Sequence, residues 1–114
     1  MTEPDRLRSR HCLPYRGLAK LSRVDAEPLL TQLAPGWGLD AEAHMLQKSF
    51  KFDDFHQTMA FVNAVAWIAH RENHHPDLEV GYARCWVRYS THAVDGLSEN
   101  DFICAAMIDA LEAE

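Results

Sequence analysis

"DDFHQTMAFVNAVAWIAHRENHHP", residues 53–76, decides the fold, because within it the hydrophobic period becomes that of a helix and then breaks off. Phe55, Met59, Val62, Ala66 and Ala69 form one stripe at helical spacing, broadened by Phe61, Val65 and Ile68. Asp54, with Gln57 three residues on, resembles a capping box. Pro76 disfavours helical geometry in the residue before it, so the helix must stop between Asn73 and His75. Alternating segments flank this helix on both sides. Upstream, over residues 44–52, Leu46, Phe50 and Phe52 share one parity and Gln47, Ser49 and Lys51 the other, and "GWGL" at 36–39 adds a preceding strand. Downstream, Leu78, Val80 and Tyr82 alternate, then Cys85, Val87, Tyr89 and Thr91, which predicts two strands joined by a turn near Ala83 and Arg84.

Each end of the chain adds a helix. In "GLSENDF", Gly96 supplies a turn, Ser98 an N-cap and Asp101 the N3 position, and Phe102, Ile103, Ala106, Met107 and Leu111 continue as a last helix. "SRVDAEPLLTQLAPGW" predicts a first helix, ended by "APG". With Asp25 as its N-cap, Pro28 falls at the third helical position, where the missing N–H removes no bond; an N-cap at Ser22 places Pro28 in the interior, at about 3 kcal/mol. Asp25 is therefore the expected start. The order α-β-β-α-β-β-α is packed most economically as an α+β domain, antiparallel strands with the helices on one face.

The chain has 114 residues, 47% of them hydrophobic, enough for one core; residues 1–20 read as an N-terminal arm and 21–114 as the domain. A net charge of −6 argues against nucleic acid as a partner. Arg6, Arg8, Arg10, Arg16, Lys20 and Arg23 outweigh Glu3 and Asp5 near the N-terminus, the pattern of a short solvated tail. Cys12, Cys85 and Cys104 are odd in number and lack any CxxC spacing, so neither a disulfide framework nor a four-thiolate zinc site is expected. No apolar leader or membrane-spanning run is present, and a cytoplasmic protein without a membrane partner is the expectation.

Four of the seven histidines lie within residues 70–92. His70 and His74 are four apart and face one side of the helix end; His75 sits at the break, and His92 has the opposite parity to the buried series of the last strand. An i, i+4 pair with a third histidine is a legitimate zinc constellation, yet Glu72 lies roughly 200° around the helix from His70, which does not make the HExxH motif of zinc proteases. Surface histidines at a helix C-terminus also simply complement its dipole, the reading given to His11, His44 and His56. Metal-free proton transfer is the third reading, since imidazole titrates near neutrality. Spacing alone leaves these three open.

His70, His74, His75, Pro76, Tyr82, His92 and Asp101 fall at the spacing of the pterin-4a-carbinolamine dehydratase family, which the chain resembles over residues 21–112, with "FKFDDF", Phe61, "STH" at 90–92 and "GLSENDF" also alike. The resemblance implies a four-stranded antiparallel sheet with three helices on one face. It implies loss of water from 4a-hydroxytetrahydropterin to give quinonoid dihydropterin, with no metal or organic cofactor, in support of a pterin-dependent aromatic amino acid hydroxylase. Carried over to this chain, His74, His75 and His92 are the catalytic candidates, His74 the principal acid or base, while His70, Pro76, Ser90 and Thr91 are candidates for binding the pterin. His70 stands where many members have Glu, and Leu78 where Trp is common. Asp101 is credited to helix capping. A homodimer or homotetramer is implied. The alternative on the same fold is a non-catalytic protein, a dimerisation cofactor of a transcription factor or a Rubisco assembly factor.

Overall fold

The structure, a computed structural model, describes residues 7–112; Glu3, Asp5 and Arg6 of the basic arm lie outside the described residues. Three helices and four strands follow one another as α1 (Arg23–Leu30), β1 (Gly38–Leu39), β2 (Leu46–Lys51), α2 (Phe55–Glu72), β3 (Asp77–Val80), β4 (Arg84–Tyr89) and α3 (Glu99–Glu112). The strands form one open antiparallel sheet in the order β1-β2-β4-β3. This is the expected α+β architecture.

Register gives the sheet its two faces. Leu46 pairs with Tyr89, Lys48 with Val87 and Phe50 with Cys85, so these side chains share the face that the helices cover. Gln47, Ser49, Trp86 and Arg88 occupy the opposite, part-exposed face. On the covered face Phe61 of α2 lies 4.6 Å from Phe50 and 5.1 Å from Phe52, centroid to centroid, an aromatic cluster that pins α2 to the sheet. Asp109 of α3 accepts from the Trp37 indole N–H at 2.9 Å and from the Ala34 amide at 2.9 Å, tying the segment before β1 to the same helix.

Four expectations need correcting. First, α1 starts three residues early, with Ser22 as N-cap: its hydroxyl donates to the Asp25 carboxylate and accepts from the Asp25 amide, and Pro28 lies inside the helix. The chain's point of entry is set one residue before, where the Leu21 amide donates to the Leu97 carbonyl at 2.8 Å, and fully buried Ala26 completes the seat. That anchoring outweighs the single bond the proline forgoes, and α1 ends at Leu30, before "APG". Second, the buried line of α2 runs through Thr58, Phe61, Val65, Ile68, Ala69 and Glu72; Phe55 instead stacks on exposed Tyr82, with rings 6.4 Å apart. Third, Val80 and Tyr82 are exposed: Val80 ends β3, an edge strand with a partner on one side only, and Tyr82 lies beyond it in the turn to β4.

Fourth, the described part of the arm is not a solvated tail. Leu7, in a 3-10 turn over Leu7–Ser9, is 2% exposed and belongs to the core. Arg10 pairs with Glu99 of α3 at 2.6 Å, the Cys12 amide donates to Glu72 at 2.8 Å, and the Asn100 side chain bonds both the N–H and the carbonyl of Leu13. Side chains of α2 and α3 that bond the arm's backbone, not bulk charge, dock this segment.

Truncation of the aromatic cluster tests the packing. Phe61→Ala is expected to cost about 3–5 kcal/mol of unfolding free energy, measured by urea titration at constant m.

Candidate functional site

Residues with chemistry converge where α2 ends, β4 ends and α3 begins. Asn73 caps α2 with left-handed backbone (φ 54), a conformation asparagine tolerates, and the His74 amide reaches back to the Ala69 carbonyl. That reversal turns His74 inward. Its ring is 2% exposed and lies parallel to Tyr89 at 5.2 Å.

Asp101 holds the ring. His74 Nε2 lies 2.6 Å from Asp101 Oδ1, while Asp101 Oδ2 accepts from the Thr91 hydroxyl at 2.9 Å and the Ser98 amide at 3.0 Å. Two donors already sit on Oδ2, and with Asp101 as an ionised acceptor the Nε2 proton is assigned to His74. The donors form a directed chain: the Asn100 amide to the Ser98 hydroxyl, Ser98 to Thr91, Thr91 to Asp101. Asp101 does cap α3, as its spacing implies, and with its other oxygen it does what the spacing does not reveal.

The second ring nitrogen also has a partner. Tyr15, from the arm, places its hydroxyl 3.0 Å from His74 Nδ1 and 3.1 Å from the Asn73 carbonyl, its ring edge-on to the imidazole. Burial, then the nearby Cys12, Asp101 and Cys104, push the Tyr15 phenol above its ordinary value. Burial likewise pushes the Tyr89 phenol up.

The other candidates sit around this centre. His75 and His92 are both exposed, each one residue beyond a member of the buried network, His74 and Thr91 respectively. His92 opens a 3-10 turn, His92–Val94, closed by Asp95 in left-handed backbone. His70 is exposed beside Trp67; Pro76 and Ser90 are half-buried. Thr91 is buried with its hydroxyl on Asp101 and its amide on the Gly96 carbonyl, so its polar groups face the protein. The structure therefore joins His74 to Thr91 through Asp101 and leaves His75 and His92 at the surface. Tyr15 carries no sequence signal, being 59 positions from its partner.

A cleft of about 270 Å³ lies beside the arm, lined by Cys12, Leu13, Pro14, Tyr15, Glu72 and Asn73. A larger one, about 390 Å³, runs past Trp67, Arg71 and Met107 and holds none of the candidate histidines. Cys12 and Cys104 bring their sulfurs to 3.4 Å, both as free thiols; the hydrogen bond between them and burial push the Cys12 thiol up, away from a nucleophilic thiolate. Among the described residues no group of three His, Cys, Asp or Glu side chains is arranged to hold a metal ion.

Glu72 fastens the arm. Burial raises its carboxyl, but hydrogen bonds from the Cys12 amide, His11 and Arg71 together outweigh that and hold it below the usual glutamate range. A lowered value means the stabilisation is complete above 4.5 and is lost as the pH falls through the lower folded-state value. Hydrogen-exchange protection of the Cys12 and Leu13 amides should accordingly fall on acidification below 4.5, and Glu72→Gln should flatten that dependence.

Comparison with known proteins gives the family. The family described as pterin 4 alpha carbinolamine dehydratase matches residues 19–111. A protein of Nitrosomonas eutropha named "Putative pterin-4-alpha-carbinolamine dehydratase" is 52% identical, the match covering 97% of both chains. One of the same name from Xanthomonas campestris pv. campestris is 54% identical over 97% of this chain and 94% of its own. Among solved structures, a transcriptional coactivator/pterin dehydratase from Brucella melitensis superposes with a TM-score of 0.77 at 29% identity, covering 82% of this chain and 98% of that one. A pterin dehydratase-like protein identified as a RuBisCO assembly factor in the alpha-carboxysome gives 0.60 at 28% identity, over 69% and 92%.

Proposed function

The chain belongs to the pterin 4 alpha carbinolamine dehydratase family, and from that premise we propose that it removes water from a 4a-hydroxytetrahydropterin by acid–base catalysis at His74. The observation that carries this reading is the buried His74 ring held at 2.6 Å by Asp101. Expulsion of the 4a hydroxyl by the N5 lone pair requires that oxygen to be protonated as it leaves, and the resulting cation must then lose a ring proton. An imidazole alternates between giving and taking one proton. Asp101 fixes its orientation and tautomer and balances the charge of its protonated form, as a carboxylate does for the histidine of a hydrolytic triad.

The surface histidines take the outer roles. His92 serves as partner in proton transfer and His75 shapes the pterin site, with His70, Pro76 and Ser90 as further contacts. Thr91 enters through Asp101, since its hydroxyl is already committed there. The reaction as proposed uses neither a metal nor an organic cofactor. Its substrate comes from a pterin-dependent aromatic amino acid hydroxylase, and a cytoplasmic homodimer or homotetramer is the working form. Among the described residues no helix is long and apolar enough to cross a membrane.

A second reading, a binding or assembly protein without catalysis, is favoured by the likeness to the RuBisCO assembly factor. One assay separates the two. Metal-free protein is expected to accelerate dehydration of the 4a-carbinolamine, and His74→Ala to lose most of the roughly 10²–10⁴-fold that positioned proton transfer supplies. Full activity in His74→Ala rejects the assignment, and activity abolished by chelator and restored by zinc replaces it with a metal mechanism.

A further inference from the structure

His74 presents a difficulty to any substrate. Its ring is buried, Asp101 occupies one nitrogen and Tyr15 the other, so nothing in solvent reaches a free imidazole nitrogen. Tyr15, by contrast, is 42% exposed and lines the cleft beside the arm. The arm is held on both sides of it: before it Leu13 by two bonds to Asn100 and Cys12 by Glu72, and after it Leu21 by its amide to the Leu97 carbonyl. A segment so fastened is a fixed wall of the site. Tyr15 also lies outside residues 19–111, where the family match falls.

Resting on the dehydratase reading above, we propose that the Tyr15 hydroxyl relays the proton between the buried His74 imidazole and the substrate oxygen at C4a. The two acceptors around the hydroxyl fit this role. When Nδ1 is unprotonated, the phenol proton points at it, 3.0 Å away; when Nδ1 carries a proton, it donates to the phenol oxygen, whose own proton turns to the Asn73 carbonyl at 3.1 Å or to a bound acceptor. One rotation of the O–H bond serves both states. In the forward step Nδ1–H passes its proton to the phenol oxygen as the phenol proton moves to the departing hydroxyl. The C4a–O bond breaks with its electron pair on oxygen, water leaves, and the N5 lone pair forms the C=N bond. The cation then loses one ring proton to His92, which passes it to solvent, and Nδ1 is reprotonated from solvent through Tyr15, so enzyme and charge are restored.

Burial, then Cys12 on the arm and Asp101 and Cys104 from α3, push the phenol up and so keep it protonated at neutral pH; the other titratable groups around it are Glu72 of α2, His74 beyond its end and Tyr89 of β4 across the His74 ring. The test uses the full chain and synthetic 4a-hydroxytetrahydropterin. Tyr15→Phe keeps the ring and removes the relay, so kcat is expected to fall about 10²-fold with KM changed less than about twofold. Incorporation of 3,5-difluorotyrosine at position 15 keeps the hydroxyl with a more acidic phenol; it is expected to retain turnover and to move the high-pH limb of kcat to lower pH, which a purely structural tyrosine does not do. Tyr15→Phe with unchanged or increased kcat, in a chain where His74→Ala is inactive, overturns the relay alone and makes Tyr15 a plug. A wild-type chain without dehydratase activity overturns the relay together with the reading beneath it.

Discussion

The buried carboxylate of Asp101 is the point from which the rest of the structure is organised. One oxygen closes the capping box of α3 and accepts from Thr91 at the end of β4; the other holds the His74 ring beyond the end of α2. Three elements that share no local sequence are thereby brought to one place by a single side chain. The arrangement succeeds because every polar group in it has a partner. A carboxylate withdrawn from water with an empty lone pair costs several kcal/mol, whereas one with three donors is tolerated. The same satisfaction makes the network rigid, since losing any donor leaves the carboxylate undersupplied.

The arm extends this logic beyond the α+β domain. Its 3-10 turn contributes Leu7 to the core, and its extended stretch is bonded to Glu72 and Asn100 through backbone groups. Backbone bonds fix position without asking much of the arm's own side chains. Tyr15 is thus free to be chosen for its hydroxyl, and its ring, edge-on to His74, completes an aromatic wall opposite Tyr89. Exposed ion pairs add little here; the Arg10–Glu99 contact is part-exposed and worth about 1 kcal/mol at most.

The sequence made the fold legible where periodicity is strong and packing merely agrees with it. The parity of Cys85, Val87, Tyr89 and Thr91 and the Ser98–Asp101 cap are visible in the letters because their causes are local. Legibility failed where tertiary contacts overrode local rules. Pro28 argues for a helix starting after Asp25, yet the Leu21–Leu97 bridge sets the entry at Ser22. Phe55 fits the helical stripe, yet Phe61 fills the space over Phe50 and Phe52, and Phe55 turns to Tyr82. In the site, the family resemblance names His74 together with His75 and His92, while the second contact of Asp101 spans 27 positions and that of Tyr15 spans 59. No periodicity encodes such pairings. The basic letters of the arm suggested a solvated tail because charge counts carry no information about backbone docking.

Separation of scaffold from chemistry follows from this construction. The sheet and helices are stabilised by the apolar face built on Leu46, Phe50, Phe61, Val87 and Phe102, none of which touches a proton in the reaction proposed. The likeness to an assembly factor, at a TM-score of 0.60, is a likeness of that scaffold. The groups that handle protons in the reaction proposed hang on it at three element ends and one docked segment, apart from the apolar face. A relative can therefore keep the architecture and lose the chemistry by changing a few polar side chains. The features on which the proposed chemistry rests are local: an imidazole withdrawn from water, aligned by a carboxylate that is itself fully occupied, and met at its remaining nitrogen by the hydroxyl of a part-exposed tyrosine.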